Sequence, residues 1–492
     1  MDSFFTLING YMETIFFFDV FFGAIEGASM PFIVAWLVVG GVYLTFRFGF
    51  INVRMFVHGF KVIAGKYKTK DDVGEISPFQ SLTTALSATV GLGNIAGVAI
   101  AISIGGAGAT FWMILAGFFG MTLKFTEVTL SQIYREQRPD GRILGGAMQY
   151  LSHGFAKHNM ATLGKFLALF FAVLTIGGSL GAGNAFQTSQ TVAVISQYVP
   201  FLQDSTLILG MNVPHTILVG FLMATLVGIV IIGGIKRIAQ TAEKIVPLMV
   251  FIYLLTALWI LGINADKVPT AIQLIFTEAF APTAIAGGFI GVLVQGFKRA
   301  AFSSEAGIGS AAIVHSTASV KYPVRQGMVA LYEPFIDTIV ICSITALVII
   351  TTGVYDPTGP FADLVAAKEG AALTAAAFGT VVSWFPVVLA FAITLFAFST
   401  MIAWFYYGER AWTYLFGEKS TLLYKLIFVS FVVVSSVASA DVLLNFSDLL
   451  ILAMALPNIM ALYLLQGEVK EHLKIYLKKL KSGELDREAI RD

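Results

Sequence analysis

The sequence predicts an all-α polytopic membrane protein of about 11 transmembrane helices, arranged as an inverted 5+5 repeat with two broken helices plus one N-terminal helix. Three observations predict it. First, the chain is 57% hydrophobic and 12% charged, with 43 Phe, where soluble globular chains carry roughly 25% charged residues. Second, apolar runs of about 20 residues recur along the whole length, each long enough to cross a hydrocarbon core of ~30 Å. Third, a small glycine motif occurs twice at one offset of 216 residues: Ser87, Gly91, Gly93 and Ala96 match Ser303, Gly307, Gly309 and Ala312. Two glycines a residue apart weaken a membrane helix midway, and broken helices in matching halves mark the binding site of secondary transporters.

In chain order, residues 1–28 carry Asp2, Glu13, Asp19 and Glu26 but no Lys or Arg, so a cleavable signal peptide is not expected. The spans are centred on 29–46, 78–103, 108–131, 164–196, 214–234, 242–262, 284–313, 327–351, 380–406, 421–439 and 446–466. Between the first two, residues 47–77 alternate basic and apolar side chains (Arg54, Phe56, His58, Phe60, Lys61) and are expected to lie along the inner surface. After the last span, residues 467–492 form a charged tail, solvated or on the lipid surface. The expected units are residues 1–77 (N-terminal extracellular segment, extra helix and inner-surface linker), 78–262 and 283–466 (the two five-helix repeats), and 467–492 (a cytoplasmic tail).

With the N-terminus outside, the inside connections hold 26 basic residues and the outside ones two, Lys267 and Lys368. That asymmetry fits the positive-inside rule and predicts an N-out, C-in protein of the cell membrane. The motif-bearing spans are the second and the seventh, five apart, so the copies cross the membrane in opposite senses. Cys342, the lone cysteine, excludes an internal disulfide and a multi-thiolate metal site.

The break at Val90-Gly91-Leu92-Gly93-Asn94 has two readings. Gly93 and Gly97 form a small-xxx-small pair that lets helices approach. Alternatively, the chain unwinds there and offers free N–H and C=O groups to an anion and a cation. The second copy favours unwinding, and such a break must line a cavity or be buried in protein.

These motifs support a resemblance. Gly91-Leu-Gly-Asn-Ile-Ala-Gly97 and Phe297-Lys-Arg-Ala-Ala-Phe-Ser-Ser-Glu-Ala-Gly-Ile-Gly-Ser310 resemble the alanine/glycine:cation symporter family, as does Gly181-Ala-Gly-Asn184-Ala-Phe-Gln187. The likeness extends over most of residues 29–466, and Val90–Asn94 is similar to the first broken helix of the bacterial leucine transporter, whose fold the family shares. The resemblance implies a sodium-coupled carrier of small neutral amino acids such as alanine and glycine, working by alternating access. It also implies roles. Backbone amides of Leu92 and Gly93, and those near Gly307, Ile308 and Gly309, would hold the substrate carboxylate. A first sodium site would use the Thr89 carbonyl and the Asn94 side-chain oxygen. A second would use carbonyls around Ser87 and Val90 with hydroxyls of Ser399 and Thr400. Hard, neutral oxygens suit a cation that must also be released.

Thr400 and Trp404 are four apart and share a helix face. Membrane hydroxyls also bond back to their own helix, and a Trp also anchors at interfaces. A bulky indole beside a small site would exclude long side chains. Asn184 and Gln187, three apart in a Gly-rich run, face one way; they either glue helices or approach substrate, with Gln187 the preferred contact. An ionisable group within a span defaults to function with a named partner. Lys298 and Arg299 are candidates for an outer gate, with Glu305 as partner of either; Glu305 also keeps a proton relay open. Lys124 and Glu127, at i,i+3, read as a structural pair.

An enzyme is not expected. HExxH and P-loop motifs are absent, and the six histidines (58, 153, 158, 215, 315, 472) are scattered, mostly in loops. No cofactor is called for beyond the coupling sodium ion, and the partners are an amino acid, sodium and the lipid bilayer, with no nucleic acid. The alternatives are a proton-coupled or sodium-coupled carrier of a larger neutral amino acid such as glutamine and, from another class, a channel.

Overall fold

The computed structural model describes residues 10–24, 29–139, 141–208, 211–281, 288–437 and 440–490. The predicted stretch 284–313 therefore lies partly outside the described residues. Helix occupies most of the described part of each predicted span. Among the described residues, six helices are long and apolar enough to cross a membrane: Ala109–Ile133, Ala161–Tyr198, Gly234–Ile263, Pro323–Thr352, Phe385–Phe416 and Ser447–Lys481. A seventh is the pair Pro78–Thr89 and Gly93–Gly105, bent by 51° at the first glycine motif. Phe32–Arg47 and Ile217–Ile231 are shorter apolar helices. Strand is confined to two small antiparallel hairpins, Glu136–Gln137 with Ile143–Leu144 and Ser205–Ile208 with Met211–Pro214.

The outer face of the bundle explains its composition. On Gly234–Ile263, Leu248, Phe251, Leu255, Leu258 and Trp259 are all more than half exposed, a stripe at helical spacing that only a hydrocarbon solvent would accept. The interior is the reverse: Lys124, Glu127, Arg299, Glu305, Glu333, Asp337 and Asp448 are buried. In a bilayer protein the polar groups face inward, and each needs a partner there.

Local rules place the first break. The helix Pro78–Thr89 starts in a capping box, with Gln80 N donating to Ser77 Oγ (3.1 Å) and Ser77 N to Gln80 Oε1 (3.0 Å), and with Pro78 at its first turn. Twelve residues later it meets Gly91 and Gly93 and resumes through a π turn, Gly93–Gly97. Further π turns lie at Gly181–Ala185 and Phe335–Cys342; such turns often mark functional sites.

One end of the bundle is closed by backbone contacts. Ile76 pairs with Ala318, and the Arg135 guanidinium donates to the carbonyls of Val73, Ser316, Ala318 and Val320 at 2.7–3.1 Å. Near the first break lies a buried helix the sequence reading left as a connection, Gly370–Gly379. Gly370 sits so close that a Cβ there would come 2.2 Å from the Ala96 carbonyl oxygen, and Thr374 Oγ1 donates to Ile95 O at 3.1 Å.

Candidate functional site: two broken helices and the helix between them

At the first break Asn94 Oδ1 accepts from Gly91 N at 2.8 Å, so Asn94 caps the bend and keeps the helix from closing over it. The Leu92 and Gly93 amides make no hydrogen bond to a described residue, nor do the Thr89 and Val90 carbonyls accept one. All four residues are buried. Backbone groups buried without partners are rare and costly, so this bend is a concentration of unspent donors and acceptors.

The second break is built differently. The helix Gly288–Ser304 ends, the chain runs irregularly to Ser310, and a short helix Ala311–His315 follows. Glu305, Gly307 and Gly309 have φ of 55°, 81° and 89°. Glycine adopts such angles freely; glutamate does so only when its surroundings force it. The amides of Gly307, Gly309 and Ser310 make no hydrogen bond to a described residue, whereas Ile308 N is already used by the Glu305 carbonyl (3.3 Å).

The two motifs meet. A Cβ on Gly93 would come 3.1 Å from Ser303 Cα. Between them stands Asp337, whose Oδ1 accepts from Asn94 Nδ2 (2.6 Å) and whose Oδ2 accepts from Ser303 Oγ (2.9 Å) and Thr338 Oγ1 (2.7 Å). Sequence reasoning missed Asp337, although it lies within the predicted span 327–351, where the rule for intramembrane charges applies.

Helix Phe385–Phe416 closes the other side. Thr400 Oγ1 donates to the Ser87 carbonyl (3.0 Å) and Ser87 Oγ to the Ser399 carbonyl (2.6 Å). Ser399 Oγ instead bonds back to Phe396 O at 2.9 Å and lies 3.5 Å from Met249 Sδ, so of the two hydroxyls it is that of Thr400 that bonds to the helix Pro78–Thr89. Gly91 is small because Thr400 Oγ1 lies 2.4 Å from where its Cβ would be. Trp404 is buried, which excludes an interfacial anchor; its ring packs on Gly183, and its Nε1 donates to Glu305 Oε1 at 2.8 Å. Gln187 Nε2 turns back to Ala182 O (2.9 Å), leaving Oε1 unpartnered and 3.7 Å from the Cβ position of Gly91.

Two expectations are corrected. Glu305 does not pair with Lys298 or Arg299: its left-handed backbone carries it to Ser310 Oγ and Trp404, while Lys298 Nζ (3.0 Å) and Arg299 Nη2 both reach Asp448. Asn184 and Gln187 do not act together, because the π turn Gly181–Ala185 separates their directions and Asn184 Nδ2 donates to Phe428 O (2.8 Å). The expected pair of Lys124 and Glu127 forms, within a larger cluster. Lys124 Nζ is 3.7 Å from Glu127 but 3.1 Å from Glu333. Glu333 in turn binds His315, whose Nδ1 meets Ser81 Oγ (2.9 Å) and Gln326 Nε2 (2.6 Å). His315 is thus buried in a polar cluster. Asn458 links that cluster to the second break, its Nδ2 donating to Glu127 (2.9 Å) and to the Gly307 carbonyl (2.8 Å).

Comparison with known proteins agrees with this geometry. The sodium:alanine symporter family matches residues 16–490. The chain is 38% identical over 448 residues to the sodium/alanine symporter AgcS of Methanococcus maripaludis, covering 91% of this chain and 94% of that protein. It is 33% identical to the probable sodium/glutamine symporter GlnT of Bacillus subtilis, covering 92% and 89%. Its fold is similar to that of MhsT in complex with L-phenylalanine, with a TM-score of 0.54 at 15% identity, covering 78% of this chain and 89% of that one. A multi-pass chain with two interrupted helices, and with relatives that are amino-acid transporters over nearly their whole length, is a transporter: this protein belongs to the sodium:alanine symporter family.

Proposed function

We propose that this protein is a sodium-coupled symporter of small neutral amino acids, alanine and glycine, working by alternating access across the cell membrane. The observation that carries the reading is the first break: unpartnered amides at Leu92 and Gly93 beside unpartnered carbonyls at Thr89 and Val90, against Thr400. A zwitterion and a cation together need that pairing of donors and acceptors. The substrate carboxylate would lie on the Leu92 and Gly93 amides and those of Gly307 and Gly309, with Gln187 Oε1 free to accept from its ammonium group. Sodium would bind the Thr89 carbonyl and Asn94 near the charge of Asp337, and a second ion the Ser87 and Val90 carbonyls with Ser399 and Thr400. Trp404, packed on Gly183, would limit side-chain length. Lys298 and Arg299 on Asp448 would form the outer gate.

The proposed topology is eleven crossings, N-terminus outside, with residues 78–262 and 283–466 as inverted repeats. Charge distribution supports it. The repeats would rock against each other around the site.

The test is uptake of labelled alanine into proteoliposomes under an inward sodium gradient, with choline replacing sodium as the control. Accumulation above equilibrium that needs sodium and is blocked by excess glycine is expected. Equilibration without accumulation, and without counterflow, would indicate a channel. A second reading, proton coupling, rests on Glu305, a buried carboxyl held by Ser310 and Trp404 across the second break; accumulation driven by a proton gradient alone would establish it. Failure with alanine under both gradients would move the substrate to larger neutral amino acids such as glutamine.

A further inference from the structure

Where the helix Phe32–Arg47 ends beside the helix Ala455–Lys481, the two enclose a groove of ≈ 840 Å³. Six cationic side chains line it, Arg47, Arg54, Lys470, Lys474, Lys478 and Lys481, and no carboxylate does. The lysines recur every three or four residues and so stand in one row on the helix. None of the six forms an ion pair with a described residue: Arg47 Nε donates to Gln466 (2.9 Å) and Arg54 Nη1 to Gly49 O (3.3 Å). Four acidic residues of the tail are taken by other cations: Glu468 by Lys157 (3.0 Å), Glu484 by Lys479, Asp486 by Lys66 (3.3 Å) and Glu488 by Lys321 and Lys479 (both 3.2 Å). Like charges one turn apart repel, so this row invites an anion from outside the chain.

Its surroundings say which anion. The floor is apolar, with Phe46, Phe48, Leu473 and Leu477. Alongside, Phe46, Phe50, Val53, Val57 and Phe60 are exposed, the outward apolar face of a segment that lies in a membrane interface. The cations thus stand at the level where acyl chains give way to headgroups. We propose that this groove binds the headgroup of an anionic phospholipid, its phosphate on the lysine row and the two arginines, its glycerol–acyl junction on Phe46 and Leu473. Basic pockets between helices at this depth have the right chemistry. The inference does not depend on which amino acid is carried.

Native mass spectrometry of the full chain, released from bilayers of equal phosphatidylcholine and phosphatidylglycerol, tests it. Wild type is expected to retain phosphatidylglycerol in preference to phosphatidylcholine. The triple variant Lys470→Gln, Lys474→Gln, Lys478→Gln is expected to lose roughly 100-fold in that preference, about fivefold per cation removed. The control Lys236→Gln, Arg237→Gln, Lys244→Gln, at another basic connection, should keep it. Lys474→Gln alone, at an exposed and unpaired position, reads the same effect if the triple variant misfolds. Equal retention in the triple and control variants overturns the proposal, as does a wild type without preference. Displacement of the adduct by excess glycerol 3-phosphate would make this a site for soluble phosphates and overturn the lipid assignment.

Discussion

The two breaks share a motif and differ in physics. Thr89 and Asn94 of the first occupy the places of Glu305 and Ser310 in the second. At the first, Thr89 is still helical, its hydroxyl bonds only to its own turn, and Asn94 caps the bend and reaches Asp337. At the second, Glu305 leaves the helix in a left-handed conformation and binds Ser310 and Trp404, while Asn458 ties Gly307 to the Lys124, Glu127 and Glu333 cluster. Paired glycines permit a break. The residues around them decide whether it is a neutral bend beside one carboxylate or a charged loop locked into a network.

The sharpest test of that contrast substitutes matched positions. Glu305→Ala leaves the buried Trp404 N–H unpaired, and thermal unfolding in detergent should show a loss of about 1–3 kcal/mol, with uptake reduced by roughly 100-fold or more, as at a site assembled from coupled groups. Thr89→Ala at the matching place keeps every backbone oxygen and should cost about 1 kcal/mol, from one buried methyl, with uptake falling far less than at Glu305; equal loss of uptake at both positions would break the comparison. Next in size, Gly91→Ala forces its new methyl against Thr400 Oγ1, and overpacking of about 1–3 kcal/mol should lower alanine uptake about tenfold or more while the purified protein stays monodisperse. Asp337→Asn keeps an acceptor for Asn94 but removes the charge. The sodium half-saturation constant should rise by roughly tenfold, in line with the ~1.5–3 kcal/mol of a charge-assisted bond, and the alanine constant should move less; an unchanged sodium constant removes Asp337 from the proposed cation site.

The smallest effect belongs outside both breaks. The Tyr322 hydroxyl, with Lys321 and Lys479, holds the Glu488 carboxyl down at about 2 from an ordinary 4.5. A depressed carboxyl stabilises tail docking fully above pH 4.5 and loses that contribution as pH falls towards 2. Pepsin should therefore release residues 482–490 increasingly across that window, and Glu488→Gln should remove the pH dependence while leaving alanine uptake at neutral pH unchanged.

Much of the helix layout was legible because hydrocarbon-facing and buried apolar residues leave long runs, and glycine pairs leave a visible gap. The capping box at Ser77 and the bends at Gly91 and Gly307 follow from local rules alone. Gly370–Gly379 was not legible: ten residues, eight of them small, are too short for a span, and what buries them as a helix is packing on Ala96. Asp337 and Glu333 were readable as intramembrane charges within 327–351. Their partners were not, since Asn94, Ser303, Lys124 and His315 come from distant stretches.

The sequence by itself determined that this chain is a multi-pass membrane protein with two interrupted helices, because composition and motif are local properties that the bilayer makes compulsory. Only the tertiary structure decided that Asp448 rather than Glu305 takes Lys298 and Arg299, that Glu305 serves Trp404, and that Gln187 rather than Asn184 points towards the first break. A buried charge must be satisfied by whatever geometry brings within about 3 Å, and backbone angles at one or two residues, invisible in residue spacing, choose which group that is.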